Sequence, residues 1–298
     1  MTDQVSAGHT LRYNPSANSM REDLKLALNY LDDLMQWAVV RARKAGLGIP
    51  NEFQGLYISD DQVQSLLDQS MEIRLWSDLE YVSPEEEALK NRAAHSRKVW
   101  RQQTGEQIPL GERSLTNLAQ QFSLSELELD AILMCLASDI DPKYERIYGY
   151  LQDDINKRYP SINFVLDCIS KNFDEKIRAR ALFTSHSLLS RFNLIEQFQG
   201  HQSSILSTRL SPAASLVHWI VGGYELDPKL KKFARLEHLT GTSTSQDELR
   251  SLQKEQPMVI VTGAYGSGKR DLAKKSAVTA GYKAIIWIDL SQPHAETL

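Results

Sequence analysis

Two amphipathic helices are predicted in the first part of the chain, because apolar residues recur there at steps of three and four. The first apolar stripe consists of Leu24, Leu28, Leu31, Met35 and Ala38. The second stripe follows a capping-box pair, Ser59 with Gln62, and consists of Val63, Leu66 and Leu67. Such stripes are typical of helices that pack into a core or against a partner helix.

The middle of the chain is predicted to be a winged helix-turn-helix region. Helix-capping residues recur along it, at Ser114, Ser125 with Glu128, Asp141 followed by Pro142, Ser161, and Ser211 followed by Pro212. Two short apolar runs at 190–198 and 203–210 predict a two-stranded ribbon. Several short helices followed by a small hairpin are the elements of a winged helix-turn-helix.

The end of the chain changes to a strand, turn and helix pattern. An apolar strand is predicted at Met258–Thr262, followed by a glycine-rich turn, a helix and a second apolar strand at Lys283–Leu290. A helix between two buried-type strands predicts a right-handed βαβ unit with a parallel sheet. The predicted fold class is mostly α with a winged helix-turn-helix region, followed by the truncated start of an α/β P-loop domain.

The chain is predicted to divide into six segments where its composition and periodicity change. They are a mobile N-terminus at 1–19, an N-terminal helical region at 20–76, a charged connector at 77–113, a winged-helix-like domain at 114–240, a linker at 241–256 and the start of a P-loop ATPase domain at 257–298. The last segment holds one βαβ unit, so we expect this domain to be incomplete.

The glycine-rich turn carries the strongest candidate chemistry. It fits the phosphate-binding pattern G-x-x-x-x-G-K and lies between an apolar strand and a helix, as that motif requires. The predicted nucleotide-binding residues are Gly263, Ala264, Tyr265, Gly266, Ser267, Gly268, Lys269 and Arg270. Glycines allow backbone N–H groups to surround phosphate oxygens, and the lysine reaches the terminal phosphates. The alternative is a glycine-rich turn with a solvated lysine.

Two departures from the pattern limit the predicted activity. Arg270 stands where Ser or Thr normally ligates magnesium, and a guanidinium has no acceptor lone pair. Magnesium binding in this module is therefore doubtful, although Arg270 could replace part of the charge neutralisation. Asp289 ends an apolar strand only 20 residues after Lys269. The acidic motif of an ATPase normally comes later in the chain, so Asp289 is interpreted as an ordinary carboxylate at a strand end. No catalytic residue and no metal ligand is predicted.

Composition indicates a soluble cytoplasmic protein. The 298 residues are 42% hydrophobic and 24% charged, and no apolar run approaches the roughly 18 residues of a membrane-spanning helix. The first residues are polar and do not form a secretory signal. Two cysteines, Cys135 and Cys168, cannot build a disulfide framework or a four-ligand zinc site, and the seven histidines show no metal-ligand spacing.

The distribution of charge along the chain favours a protein partner over DNA. The formal net charge is -4, so no global basic field attracts nucleic acid. The stretch 171–237 contains ten basic and six acidic residues, but the predicted helix-turn-helix portion at 123–154 is acidic. A recognition helix that faces phosphates should not carry that sign.

Three segments resemble a known family. The run Phe122–Ile169 resembles the N-terminal winged-helix region of a bacterial group of AAA ATPases, and Gly55–Leu67 and Ser204–Leu230 resemble its neighbouring segments. Members are similar to the ATPase encoded with contractile injection systems. The resemblance implies an AAA+ ATPase that binds ATP through a Walker A loop, assembles into a homo-oligomeric ring and remodels a protein partner. Some members carry a degenerate first module, which Arg270 would fit.

The leading hypothesis is therefore the N-terminal part of an AAA+ ATPase, with ATP as ligand and a protein as partner. Whether this chain is an enzyme stays open, because it lacks the later catalytic motifs. One alternative is a winged-helix DNA-binding regulator with a nucleotide-sensing P-loop domain. Another is a nucleotide-binding scaffold that does not hydrolyse ATP.

Overall fold

The computed structural model describes most of the chain, in two compact units, Met1–Gly223 and Tyr224–Leu298. The described residues are 16–44, 83–107, 114–200, 204–221, 230–239, 261–279, 282 and 284–289. The second predicted stripe at 63–67, the linker at 241–256 and most of the predicted mobile N-terminus lie outside these residues. The domain boundaries proposed from the sequence stay predictions.

Two long helices open the first unit, α1 at Ser16–Lys44 and α2 at Pro84–Gln107. Their apolar faces meet, and the stripe predicted for α1 is confirmed as its packing face. Leu31, Met35 and Ala38 are buried, and Leu24 and Leu28 are partly buried against the same core. The predicted charged connector contains α2, whose inner face is also buried.

Buried polar contacts tie the two helices together and fix their antiparallel direction. Near one end of the pair, the Trp100 indole N–H donates to the Asp23 carboxylate at 2.9 Å. Near the other end, Glu86 pairs with Arg41 at 2.7 Å and with Lys44 at 2.5 Å. Pairing of this kind offsets part of the desolvation cost of burying the charges.

Three helices follow, and the caps of the first two are those the sequence predicts. They are α3 at Leu115–Phe122, α4 at Glu126–Ile140 and α5 at Lys143–Leu151. Ser114 caps α3, and Ser125 with Glu128 forms a complete capping box at α4. At α5 the prediction is one residue off, because Pro142 occupies the cap position and the Asp141 carboxylate accepts from Lys143 N–H at 2.9 Å.

The rest of the first unit combines short helices with a two-stranded ribbon. The elements are α6 at Ile162–Ile169, α7 at Phe173–Ala179, a 3₁₀ turn at Arg180–Phe183, α8 at Leu188–Arg191, β1 at Ile195–Phe198, a 3₁₀ turn at Ile205–Ser207, β2 at Arg209–Pro212 and α9 at Ala214–Ile220. Ser161 caps α6 as predicted. β1 and β2 pair antiparallel, and Ser161 bridges Arg209 on the far side of β2.

The predicted cap at Ser211 and Pro212 is wrong. Both residues belong to β2, where Pro212 pairs with Ile195 and Ser211 with Glu196. Proline is tolerated at this strand end, and α9 begins only at Ala214 with no side-chain cap. The non-local pairing with β1 overrides the local capping preference of Ser-Pro.

The core of the first unit surrounds α4. Residues Leu129 to Ser138 of this helix are all buried, and the aromatic rings of Tyr144, Tyr148 and Phe164 pack around it. The Tyr148 hydroxyl donates to the carbonyl of Met134 at 2.8 Å, so its polar atom is satisfied. Ten consecutive buried residues cover every side of a helix, so α4 occupies an enclosed position in the core.

The described part of the second unit contains two strands and one helix. They are β3 at Ala234–His238, α10 at Lys269–Thr279 and β4 at Ala284–Ile288. β4 lies in the predicted apolar strand, but its described partner is the antiparallel β3. Val261 and Thr262 are not in a strand, and residues 258–260 lie outside the described part. The predicted parallel βαβ unit is therefore not found among the described residues.

Candidate phosphate-binding loop and winged-helix surface

The glycine-rich loop at 263–268 is an exposed turn that leads directly into α10. Gly266 and Gly268 have φ values of 81° and 79°, a left-handed conformation that glycine adopts without strain. The loop closes through Ser267 N–H, which donates to the carbonyl of Ala264 at 3.2 Å. The first helical hydrogen bond then runs from Leu272 N–H to Gly268. Val261 and Thr262, the described end of the predicted strand, are not in a strand, whereas the turn and the helix are confirmed.

The side chain of Lys269 folds back over this loop. Its Nζ donates to the carbonyl of Gly263 at 2.8 Å and to that of Ala264 at 2.6 Å, and lies 3.3 Å from the Ser267 hydroxyl. The ammonium group therefore sits at the first turn of α10, where the helix dipole favours an anion.

Arg270 has a packing partner that the sequence prediction missed. Its guanidinium carbon lies 5.4 Å from the centroid of the Trp287 ring on β4. A cation over an aromatic face at this distance is attracted by the ring quadrupole. The side chain thus helps to hold α10 on the sheet, while its predicted charge-neutralising role stays a prediction.

Glu237 on β3 completes this contact. It accepts from the Trp287 indole N–H at 2.9 Å and pairs with Lys274 at 2.6 Å. The hydrogen bonds from Lys274 and Trp287 lower the pKa of Glu237. Arg270 and Lys274 are four residues apart and share one face of α10, which is the only sequence signal that could have indicated this cluster.

Two features of the described winged-helix residues bear on DNA recognition. A recognition helix normally lies in the major groove. The helix that precedes the ribbon here, α8, has four residues and is therefore about 6 Å long. The wing at 199–208 contains no Lys or Arg, and the exposed residue Ile205 lies in it.

The remaining residues weighed as candidates are the groups that could ligate a metal ion and Asp289. Among the described residues, no group of three or more His, Cys, Asp or Glu side chains could hold a metal ion. Asp289 follows β4 and donates its N–H to the carbonyl of Phe233 at 2.8 Å, so its backbone extends the β3–β4 pairing. No helix within the described ranges is long and apolar enough to cross a membrane.

From Ser161 onward, the chain forms an isolated β-bridge at Ser161, then the helices α6 to α8, and finally β1, the wing and β2. Residues 25–234, more than half of the 298, match the family described as "Winged helix domain, variant". The chain belongs to this winged helix family. No curated protein and no solved structure matches it.

The winged helix match covers most of α1, all of α2 and the ribbon, and ends at the first residue of β3. It does not include the loop at 263–268 or α10. The assignment of that loop to nucleotide phosphates stays a prediction, and so do the resemblance to AAA ATPases and the link to contractile injection systems.

Proposed function

We propose that this winged helix protein binds the phosphates of a nucleoside triphosphate, with ATP expected, through Gly263–Lys269, and that its winged-helix unit docks a protein partner. The observation that carries the proposal is the position of Lys269. Its Nζ lies over a glycine-rich turn at the start of an eleven-residue helix, with loop carbonyls as hydrogen-bond partners. Phosphate oxygens are the ligands that such a turn and lysine favour.

The composition of β4 supports an α/β domain around this loop. Trp287 contacts α10 through Arg270, whereas Ile286 and Ile288 lie on the other side of the strand and are 50% and 52% exposed. Strands that are apolar on both faces are typical of sheets covered by helices on both sides. The AAA+ ring, the remodelling of a protein and the contractile injection system enter the proposal through the sequence resemblance alone.

Magnesium-dependent hydrolysis is not proposed for this module. Arg270 provides no oxygen ligand at the position where a P-loop holds its metal, and its guanidinium is engaged with Trp287. We therefore propose that this loop binds a nucleotide without hydrolysing it. A cytoplasmic location is part of the proposal, because both cysteines are free buried thiols, as in proteins from reducing compartments.

A DNA-binding regulator is the second candidate, supported by the net positive charge of 171–237. The short α8 and the wing without Lys or Arg argue against it. Filter binding to duplex DNA at low salt tests this candidate directly. Affinity that falls steeply as salt rises would favour the DNA regulator over protein docking.

The nucleotide proposal is tested by titrating the purified chain with a fluorescent ATP analogue. Lys269→Ala should weaken binding at least about tenfold, because the loop loses its cation. Lys275→Ala is the matched control, since it removes an exposed lysine from the same helix, and it should leave affinity within about twofold. Equal affinity in wild type and Lys269→Ala would contradict the proposal.

A further inference from the structure

The helix that carries Lys269 needs side-chain anchors to hold it in place. None of the eleven residues of α10 is buried, and an isolated helix of this length is only marginally stable in water. The contacts that its side chains make with the strands β3 and β4 therefore have a large influence on where its first turn lies. Lys269 is the first residue of that turn, so the same contacts bear on the proposed nucleotide loop.

Two of these contacts come from one face of α10. Lys274 pairs with Glu237 on β3 at 2.6 Å, and the guanidinium carbon of Arg270 lies 5.4 Å from the centre of the Trp287 ring on β4. Arg270 and Lys274 are four residues apart, which is about one turn of helix. Together they oppose both a shift of α10 along the strands and a rotation of α10 about its own axis.

Glu237 takes part in both attachments. Its Oε1 atom lies 2.6 Å from Lys274 Nζ, and its Oε2 atom accepts from the Trp287 indole N–H at 2.9 Å. The carboxylate therefore holds Lys274 directly and orients the ring on which Arg270 lies. The hydrogen bonds from Lys274 and Trp287, together with the charges of Lys274 and Arg270, lower the pKa of Glu237, so the carboxylate is ionised at neutral pH.

The pairing of the two strands explains why Glu237 meets Trp287. Glu237 pairs with Ile285, and Trp287 lies two residues further along β4. Glu237 and Trp287 are therefore diagonal neighbours on one face of the β3–β4 pair, a separation that an aromatic side chain can span. Ile286 lies on the other face, because successive side chains of a strand alternate. The face that Glu237 and Trp287 share is the one that contacts α10.

The position of Lys269 depends on how α10 is turned. Its Nζ donates to the carbonyls of Gly263 and Ala264 at 2.8 Å and 2.6 Å, and its backbone is joined directly to that of Arg270. Because Cα atoms lie about 2.3 Å from a helix axis, a rotation by one residue, about 100°, would move the Cα of Lys269 by about 3.5 Å. A binding site tolerates displacements of only about 0.5 Å. An anchor that stops this rotation therefore keeps the lysine at the loop.

We propose that Glu237 is a positioning residue of the nucleotide loop, and that it holds Lys269 in place by anchoring Lys274 and Trp287. This role rests on the nucleotide function proposed above and adds a residue outside the glycine-rich motif. Glu237 lies on β3, which begins at Ala234, the last residue of the winged helix match. The strand in which the matched region ends thus controls the affinity of the loop.

Glu237→Gln tests this role in the titration with a fluorescent ATP analogue. The substitution keeps the size of the side chain but removes the charge that holds Lys274, and we expect the dissociation constant to rise about fivefold. Removal of a negative charge near an anion site would by itself strengthen binding, so weaker binding indicates lost positioning. Glu196→Gln is the matched control, because Glu196 is a half-buried glutamate on β1, and it should leave the affinity within about twofold.

A double-mutant cycle shows whether Glu237 acts through Lys274. Lys274→Met should weaken binding, and adding Glu237→Gln to it should cause no further loss, because the contact is already absent. Lys274→Arg, which restores a cation at that position, should recover most of the affinity. Lys275→Met is the control for the loss of a positive charge alone, since Lys275 is an exposed lysine on the same helix, and it should leave the affinity within about twofold.

Hydrogen exchange without nucleotide measures the anchor by itself. The Leu272 N–H donates to the carbonyl of Gly268 in the first helical hydrogen bond of α10. Glu237→Gln should speed exchange at Leu272 about threefold, because the first turn opens more often. Exchange at Leu133 in the buried helix α4 should stay unchanged. Since no nucleotide is present, this measurement separates the loss of the anchor from a loop that binds no nucleotide.

Equal affinity of the wild type and Glu237→Gln would overturn the positioning role and leave the nucleotide proposal standing. An equal loss when Glu237→Gln is added to Lys274→Met would overturn it as well. Faster exchange at Leu272 with unchanged affinity would assign Glu237 a purely structural role, and weaker binding with unchanged exchange would reject the anchor as the cause. A wild-type chain that binds no nucleotide would reject the nucleotide proposal and this role together, even where exchange shows that the anchor exists.

Discussion

The helices α4 and α10 show how differently the two units are held together. Every residue from Leu129 to Ser138 of α4 is buried, whereas α10 has no buried residue at all. Side chains of α10 make polar and cation–π contacts with the two strands, from Lys274 to Glu237 and from Arg270 to Trp287. The first unit is therefore stabilised chiefly by apolar burial, and the described part of the second by surface interactions that each contribute little.

The largest effect on stability is expected from matched leucine truncations in the two helices. Leu133→Ala on α4 removes a side chain with no exposed surface and should lower the free energy of unfolding by about 3 kcal/mol. Leu272→Ala on α10 removes one that is 41% exposed and should cost about 0.5 kcal/mol. Urea denaturation followed by circular dichroism measures both, and similar losses would contradict the contrast.

The buried ion cluster of the first unit predicts a pH effect. Asp130 on α4 is 3% exposed and pairs with Arg97 at 2.5 Å and Arg101 at 3.4 Å. Desolvation by burial nevertheless raises the pKa of Asp130 from 3.8 to about 6. A group whose pKa is higher in the folded state binds more protons there, so its contribution to stability falls as pH rises from about 4 to about 6.

The expected change from this one group is at most about 3 kcal/mol between those pH values. Unfolding by urea at several pH values measures it. Asp130→Asn is the control, because it keeps the shape of the side chain but cannot titrate, and its stability should depend less on pH in this window. An unchanged slope in the Asn variant would assign the pH dependence to other carboxyl groups.

The smallest effect is expected in the second unit, at Arg270. Arg270→Thr removes the contact with Trp287, at a cost of about 0.5–1 kcal/mol to local stability. It also supplies the hydroxyl that a P-loop uses for magnesium, so nucleotide affinity should become stronger when magnesium is present. Arg270→Ala loses the same contact without supplying a hydroxyl. Magnesium dependence that appears in both variants, or in neither, would contradict this account.

Local signals in the sequence predicted local structure well. The capping box of Ser125 and Glu128 and the caps at Ser114 and Ser161 are confirmed, because a cap depends only on residues within one helical turn. The apolar stripe of α1 is confirmed for a related reason. A helix with one apolar face must bury that face somewhere, whichever partner it finds.

Pairings between residues far apart in the chain could not be predicted from the sequence. Ser211 and Pro212 resemble a helix start, but the alignment of β2 with β1 decides their conformation. The antiparallel partner of β4 lies about 50 residues earlier in the chain, and nothing in the alternation of either strand specifies it. The contact of Arg270 with Trp287 likewise depends on how α10 lies on the sheet. The sequence motif identified the candidate loop, but it did not predict the contacts that support the loop.

The two buried cysteines allow the opening of the first unit to be measured chemically. Cys135 and Cys168 are the only thiols of the chain, and burial raises the pKa of both. Alkylating reagents react with the thiolate, so burial and the raised pKa should slow the reaction of both side chains while the core is closed. The rate at which a thiol reagent labels the chain therefore reports how often the winged-helix core opens, with no signal from the second unit.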